Sequence, residues 1–129
     1  MGADPRIAGF PNGVIPLTVS SIQGANTTIT ATLTGIAGET VFISRLTITN
    51  GGATAAGMTS CQVTGLTSIS TLSLMVGAPV GAGVPGVPTD LEFNPPIPAT
   101  DPAVGIKATL GALGTGNTHA SIVLQGFKA

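Results

Sequence analysis

The sequence predicts an all-β protein, an antiparallel β-sandwich of about eight short strands, and three observations carry that expectation. Apolar residues recur at every second position rather than at the spacing of a helix face. Threonine, whose branched β-carbon suits a pleated surface, fills many of the polar positions between them. Gly, Asn and Pro break the pattern at short, regular intervals. At 129 residues the chain is one domain's length, and such a domain buries roughly 65–70% of the surface its unfolded form exposes.

Residues 1–16 read as an extended Pro/Gly-rich arm and residues 17–129 as a single sandwich. Ile15, Leu17 and Val19 mark the first strand. In the next, Ile29, Ala31 and Leu33 face one side and Thr28, Thr30, Thr32 and Thr34 the other, the pattern of a half-buried strand. Strict alternation over Val41 to Thr49 puts Phe42, Leu46 and Ile48 on one face, with Val41, Ile43, Arg45 and Thr47 on the other. Apolar residues on both faces predict a central or covered strand. Asn50-Gly51-Gly52 reads as a tight turn. Ala53 to Met58 allows at most one helical turn. Ser60 to Leu66 turns Cys61 and Val63 inward, and Ile69 to Val76 does so with Leu72, Leu74 and Val76. Leu91 and Phe93 mark a short strand. Val104, Ile106, Ala108 and Leu110 alternate in the next. After a turn at Gly114 to Asn117, His119 to Phe127 closes the set. Three Pro-bearing, largely apolar segments are read as loops: Asp4 to Pro16, Gly77 to Pro88 and Asn94 to Pro102. Proline lowers the entropy they lose on docking. They suit either contact with a partner or a role as lids over the ends of the sandwich.

Charge is the unusual feature. Only 7% of residues are Asp, Glu, Lys or Arg, against about 25% in ordinary soluble proteins. None at all occurs from Leu46 to Thr89. Such a chain has little self-repulsion to keep copies apart, so much of its surface is expected to be buried in an assembly. Arg6, Arg45, Lys107 and Lys128 are too scattered for the basic stripe that nucleic acid requires. The absence of Trp and Tyr removes the usual platforms for carbohydrate and the usual interface anchors. Met1 to Arg6 lacks a signal-peptide core, and Arg6 breaks the myristoylation pattern. Ser70, Ser73, Gly77, Pro79 and Pro85 interrupt the most apolar stretch, so no helix of bilayer length is expected. The single cysteine excludes an intrachain disulfide.

The residues that could carry chemistry form no constellation. Gly81 to Gly86 matches G-x-G-x-x-G, but Pro85 and Pro88 forbid the helix whose N-terminus would hold a pyrophosphate. His119, the only histidine, has no evident nucleophile or carboxylate partner. Cys61 is expected in the core. Asp90 and Glu92 share a strand face, which suits an acid–base pair, a weak Ca²⁺ site or a charged sheet edge that deters mispairing. Asn26-Thr27-Thr28 is a glycosylation sequon. The expectation is a non-enzyme without cofactor or metal.

One resemblance is visible. Leu91-Glu92-Phe93-Asn94-Pro95-Pro96-Ile97-Pro98-Ala99, then Val104-Gly105-Ile106-Lys107-Ala108, then Gly114 to Ser121, ending Gln125-Gly126-Phe127, looks like the C-terminal half of small virion proteins of tailed bacteriophages, the capsid decoration or cement proteins. Upstream, Ala37 to Leu46 resembles the strand that opens their sheet, so the likeness spans residues 27 to 127. It implies a jelly-roll or similar sandwich on the capsid exterior, assembled in the host cytoplasm, that clamps neighbouring capsomers. It implies as partners the major capsid protein and further copies of the chain, as a homotrimer ahead of a homodimer, with neither nucleic acid nor membrane. The arm Asp4 to Pro16 would reach a neighbour. The expected contacts are Arg6, Ile7, Phe10, Val80, Val84, Val87 and Ile97. A receptor-binding or fibre-tip domain is the rival, disfavoured by the missing Tyr and Trp; a generic bacterial sandwich module is the third reading.

Overall fold

The computed structural model describes residues 15–23, 26–35, 38–101 and 103–129. It is an all-β sandwich of eight strands: β1 (Ile15–Gln23), β2 (Ile29–Thr34), β3 (Val41–Asn50), β4 (Gly57–Leu66), β5 (Ile69–Ala78), β6 (Thr89–Pro98), β7 (Gly105–Leu110) and β8 (Ala120–Lys128). A front sheet has the order β1-β8-β3-β6 and a back sheet the order β2-β7-β4-β5, with every pairing antiparallel. The pairings β1–β8, β2–β7, β3–β6 and β4–β5 are nested, the first strand with the last and so on inward. Only β4 and β5 are joined as a hairpin, through Thr67 and Ser68, with Ser68 at φ 68°. Every other connection crosses between sheets.

The core is one aliphatic layer. Val41, Ile43, Leu46 and Ile48 of β3 and Ile122 and Leu124 of β8 meet Cys61 and Val63 of β4 and Ile106, Ala108 and Leu110 of β7, all with no exposed surface. Burying each of the larger side chains contributes about 1.5–3 kcal/mol. The threonines of β2 lie outward or at the margin, as their alternation predicts.

Strand β3 is central, but the strict alternation read from its sequence is corrected. The register shifts between Ile43 and Arg45 against both β6 and β8. Ser44 is the extra residue of a bulge, and its Oγ donates to the Gln125 carbonyl at 3.1 Å. The bulge reverses the parity, so Val41, Ile43, Leu46 and Ile48 all point inward. Phe42 instead lies on the other face of the sheet, its ring stacked 4.8 Å from that of the buried Phe127. Gly126 sits opposite Ile43; a Cβ there would collide with the Phe42 carbonyl oxygen and press on Leu33.

Other departures have similar local causes. Strand β6 runs on to Pro98 through a segment read as a loop. It ends its sheet, where the missing N–H of proline is tolerated. The register breaks across residues 93–96, between the pairs Arg45–Glu92 and Ile43–Ile97, with Phe93 turned into the core. Asn50-Gly51-Gly52 makes no hairpin, because β3 and β4 lie in different sheets. Ala53 to Met58 forms no helical turn; Ala53 bridges Val80 and β4 opens at Gly57. Val104 is exposed rather than in the core, held in a turn where its N–H donates to the Asp101 carbonyl. Strand β8 opens at Ala120, which leaves His119 in the preceding loop. Strand β1 opens at Ile15, the first residue of the alternation that marks it in the sequence.

Gly126→Ala is expected to destabilise the fold by about 1–3 kcal/mol, the usual cost of overpacking a filled site. Denaturant titration followed by circular dichroism checks this, since the chain has no Trp or Tyr.

Candidate functional site

Strand pairing brings four connections to one end of the sandwich: β1–β2, β3–β4, β5–β6 and β7–β8. Their described residues, 26–28, 51–56, 79–88 and 111–119, include no Asp, Glu, Lys or Arg. The opposite end carries Asp101 and the ion pair of Lys128 with Glu39 at 3.3 Å. The uncharged run from Leu46 to Thr89 thus has a spatial meaning: it supplies half of the neutral end. The charges that bracket it, Arg45 and Asp90, pair with each other across β3 and β6.

Two buried asparagines hold the neutral end together. The Asn117 amide donates to the carbonyls of Gly51 (3.0 Å), Gly52 (3.2 Å) and His119 (3.1 Å). The Asn50 amide donates to Gly51 and Gly77, both at 3.0 Å. These bonds tie the start of β8 and the end of β5 to the corner after β3. The β5–β6 loop is laced to the same corner through its backbone: Gly52 N–H to Val84 (2.8 Å), Ala53 N–H to Pro79 (2.9 Å), Gly81 N–H to Ala53 (2.7 Å) and Gly86 N–H to Asn50 (2.8 Å). Gly52 permits this approach, because a Cβ would strike the carbonyl oxygens of Gly81 and Pro79. The Gly114 N–H also donates to Asn26 Oδ1 at 2.9 Å, joining two more of the loops.

The loop is therefore a lid in its backbone, and it leaves its valine side chains exposed. Val80, Val84 and Val87 are 63%, 45% and 84% exposed. Met58 and Met75, also exposed, continue the apolar surface onto the outer face of β4 and β5. Two shallow depressions flank Pro85. One is lined by Met75, Pro79 and Val87, the other by Val84, Pro88 and His119. Because the backbone is already fixed, docking on these valines costs little ordering entropy. Of the expected contacts, Val80, Val84 and Val87 are on this surface. Ile97 is not: it pairs with Ile43 and packs against the core from β6. Arg6, Ile7 and Phe10 lie outside the described residues.

The residues with chemical potential are dispersed or engaged. In the G-x-G-x-x-G loop, the N–H groups of Gly81, Val84 and Gly86 donate to protein carbonyls, so they form no phosphate cradle. Cys61 is fully buried, and burial pushes its thiol up to about 11, far from a reactive thiolate at neutral pH. Asp90 receives Arg45 in a two-pronged contact, with Nε on Oδ1 at 2.8 Å and Nη2 on Oδ2, and the Thr47 hydroxyl at 3.3 Å. The hydrogen bond from Arg45 holds the Asp90 carboxyl below its ordinary value. With Glu92 beside them on an edge strand, these groups suit the charged-edge reading. Among the described residues, no three of His, Cys, Asp and Glu are grouped as metal ligands would be. No family model and no curated protein matches the chain.

The sequence reading missed both asparagines. The signal available was an Asn at each strand boundary next to glycines, residues whose carbonyls can crowd one amide.

Asn117→Ala removes the donor for three carbonyls and is expected to cost about 1–3 kcal/mol. Hydrogen exchange at Gly52 and Gly81 should accelerate with it. Asp90 supplies the pH dependence: its lowered folded-state value means the Arg45 pair stabilises fully above the ordinary carboxylate range and is lost as pH falls through the folded value. Asp90→Asn should therefore be less stable than the parent at pH 7, with the gap closing as pH falls through the lowered folded-state value of Asp90. Paired denaturant curves across pH check the sign.

Proposed function

We propose that this chain is a non-enzymatic structural protein of a virion, a decoration or cement protein that binds the outer surface of a tailed-phage capsid and strengthens contacts between capsomers. The observation that carries the reading is the neutral end itself: a wholly uncharged set of loops, pinned by Asn50 and Asn117, that turns three valines to the outside. Ordinary soluble surfaces carry interspersed charge and avoid contiguous apolar area. A surface built this way, on a rigid base, suits contact with another protein, and in this reading the partner is the major capsid protein. The nested strand pairing, in which sheet order 1-8-3-6 faces 2-7-4-5, matches the double Greek key of a jelly roll. That supports the architecture implied by the phage resemblance.

Physically, such a protein acts by mass action. It binds only the assembled shell, so its binding free energy adds to shell stability. Weak single contacts suffice because many copies bind together. Apolar loops with no aromatic anchor fit that regime of repetition rather than one tight site.

Particles that carry the chain provide the test. Quantitative mass spectrometry should find it at a copy number commensurate with the capsomers; a handful per particle would assign it to a tail or fibre tip instead. Val84→Asp with Val87→Asp should leave the isolated domain folded and weaken particle binding roughly ten- to a hundredfold. Unchanged binding by that variant would refute the loop end as the docking surface.

A further inference from the structure

We propose that two copies of this chain associate through the free edge of β5, joining their back sheets into one continuous sheet across a twofold axis. This goes beyond the capsid reading and does not depend on it, because the isolated chain carries the whole surface.

Four strands end the two sheets, and they are not alike. Strand β6 is guarded by the exposed charges of Asp90 and Glu92, by Pro95 and Pro96, and by its broken register. Strands β1 and β2 lie against one another and close their flank of the sandwich; β2 is six residues long. Strand β5 has none of these devices. It is ten residues long, has no proline or charged residue, and keeps one unbroken register against β4 from Ala78 to Ile69. A long, flat, uncharged edge is a template for another strand.

The packing behind that edge is incomplete in the same place. Ile69, Leu72 and Leu74 of β5 and Leu91 and Ile97 of β6 face the core but are only partly buried. The neighbouring Val63, Leu46 and Ile48, one strand further in, are fully buried. The two sheets meet on this flank only at one end, where Leu66 bridges Ala99 and the Thr67 N–H donates to the Pro98 carbonyl. The apolar layer reaches the surface along Ile69 to Leu74, while Val76 and Ala78 at the other end of β5 are buried.

A second copy fits what is missing. It offers the same uncharged edge, so no like charges meet, and its open flank needs the same cover. Antiparallel pairing of a strand with itself generates a twofold axis. Directly opposed residues must share a sheet face. Full overlap then leaves two registers, with Ser73 opposite Ser73 or Leu74 opposite Leu74. A strand of ten residues spans about 33 Å at the usual rise, and two sheets about 10 Å apart with their side chains are roughly 20–25 Å thick. Half of that thickness belongs to β6, whose charges keep it out of the contact, so the β5 edge presents about 350–400 Å² per copy, about half of a stable interface. Backbone pairing of the two edges carries the rest of the association. The arrangement is twofold, in place of the trimer that the phage resemblance implies.

Native mass spectrometry of the full chain at micromolar concentration tests it. The expected species is twice the 12.5 kDa chain. Ser73 and Met75 are exposed on the outer face, and Ser73→Lys with Met75→Lys sets lysine against lysine in either register. That variant should keep its circular dichroism spectrum and weaken the dimer about tenfold or more. In the unmodified chain, exchange protection of β5 amides should fall on dilution. A monomer at every concentration, a trimer, a dimer indifferent to the lysines, or dilution-independent β5 protection would each overturn the proposal.

Discussion

One layer of aliphatic side chains must stay dry between two sheets, and the rest of the molecule follows from that requirement. The chain has four phenylalanines and no Trp or Tyr, so the layer is built mainly from Val, Ile, Leu and Ala, with Cys61 and Phe93 among them. Aliphatic layers depend on parity: a one-residue slip would send a whole strand's apolar set to solvent. The bulge at Ser44 shows the constraint operating. Val41 and Ile43 have one parity in sequence, Leu46 and Ile48 the other, and a single extra residue lets all four enter the core. Gly126 answers the same demand from β8, since its missing side chain makes room for the Phe42 carbonyl.

Closing the ends of the layer is a separate problem, and the protein solves it differently at each. At one end, charges and an Asp101 turn face water. At the other, glycine carbonyls converge on two buried amides, and a Pro/Gly loop is laced over them. Buried amides are costly unless bonded, so the loops cannot loosen independently. The consequence is a surface with a fixed backbone and exposed valine tips. It is this rigidity, together with the missing charge, that suits the neutral end for contact with another protein.

Much of the fold was legible because half-buried strands write their orientation into alternate residues. Ile29-Ala31-Leu33 and Ile106-Ala108-Leu110 face as the sequence predicts. The misreadings have physical reasons. A bulge changes parity without leaving a turn residue, so Phe42 was placed on the wrong face. Prolines at Pro95 and Pro96 mark a loop by local rules, yet an edge strand accommodates them. Asn50-Gly51-Gly52 has hairpin chemistry, but the sheet crossing that decides its role is a long-range property. At the candidate site, the apolar loop was visible in composition, and Val80, Val84 and Val87 were picked from it. Asn50 and Asn117 were read only as turn residues, because most of the groups their amides serve are backbone carbonyls from distant segments. Met58 was hidden because its segment was read as a helical turn rather than the start of a strand, and Met75 because alternation marks its strand without marking its exposure.

Hydroxyl-radical footprinting of the chain, free and mixed with the capsid proposed as its partner, tests the central claim most directly, because methionine oxidises readily and two methionines lie on or beside the proposed surface. The account predicts strong protection on binding at Met58 and at Val84 and Val87, with the Glu39–Lys128 end unchanged. Protection at the charged end, with Met58 and the valines still oxidised at the free rate, would contradict it.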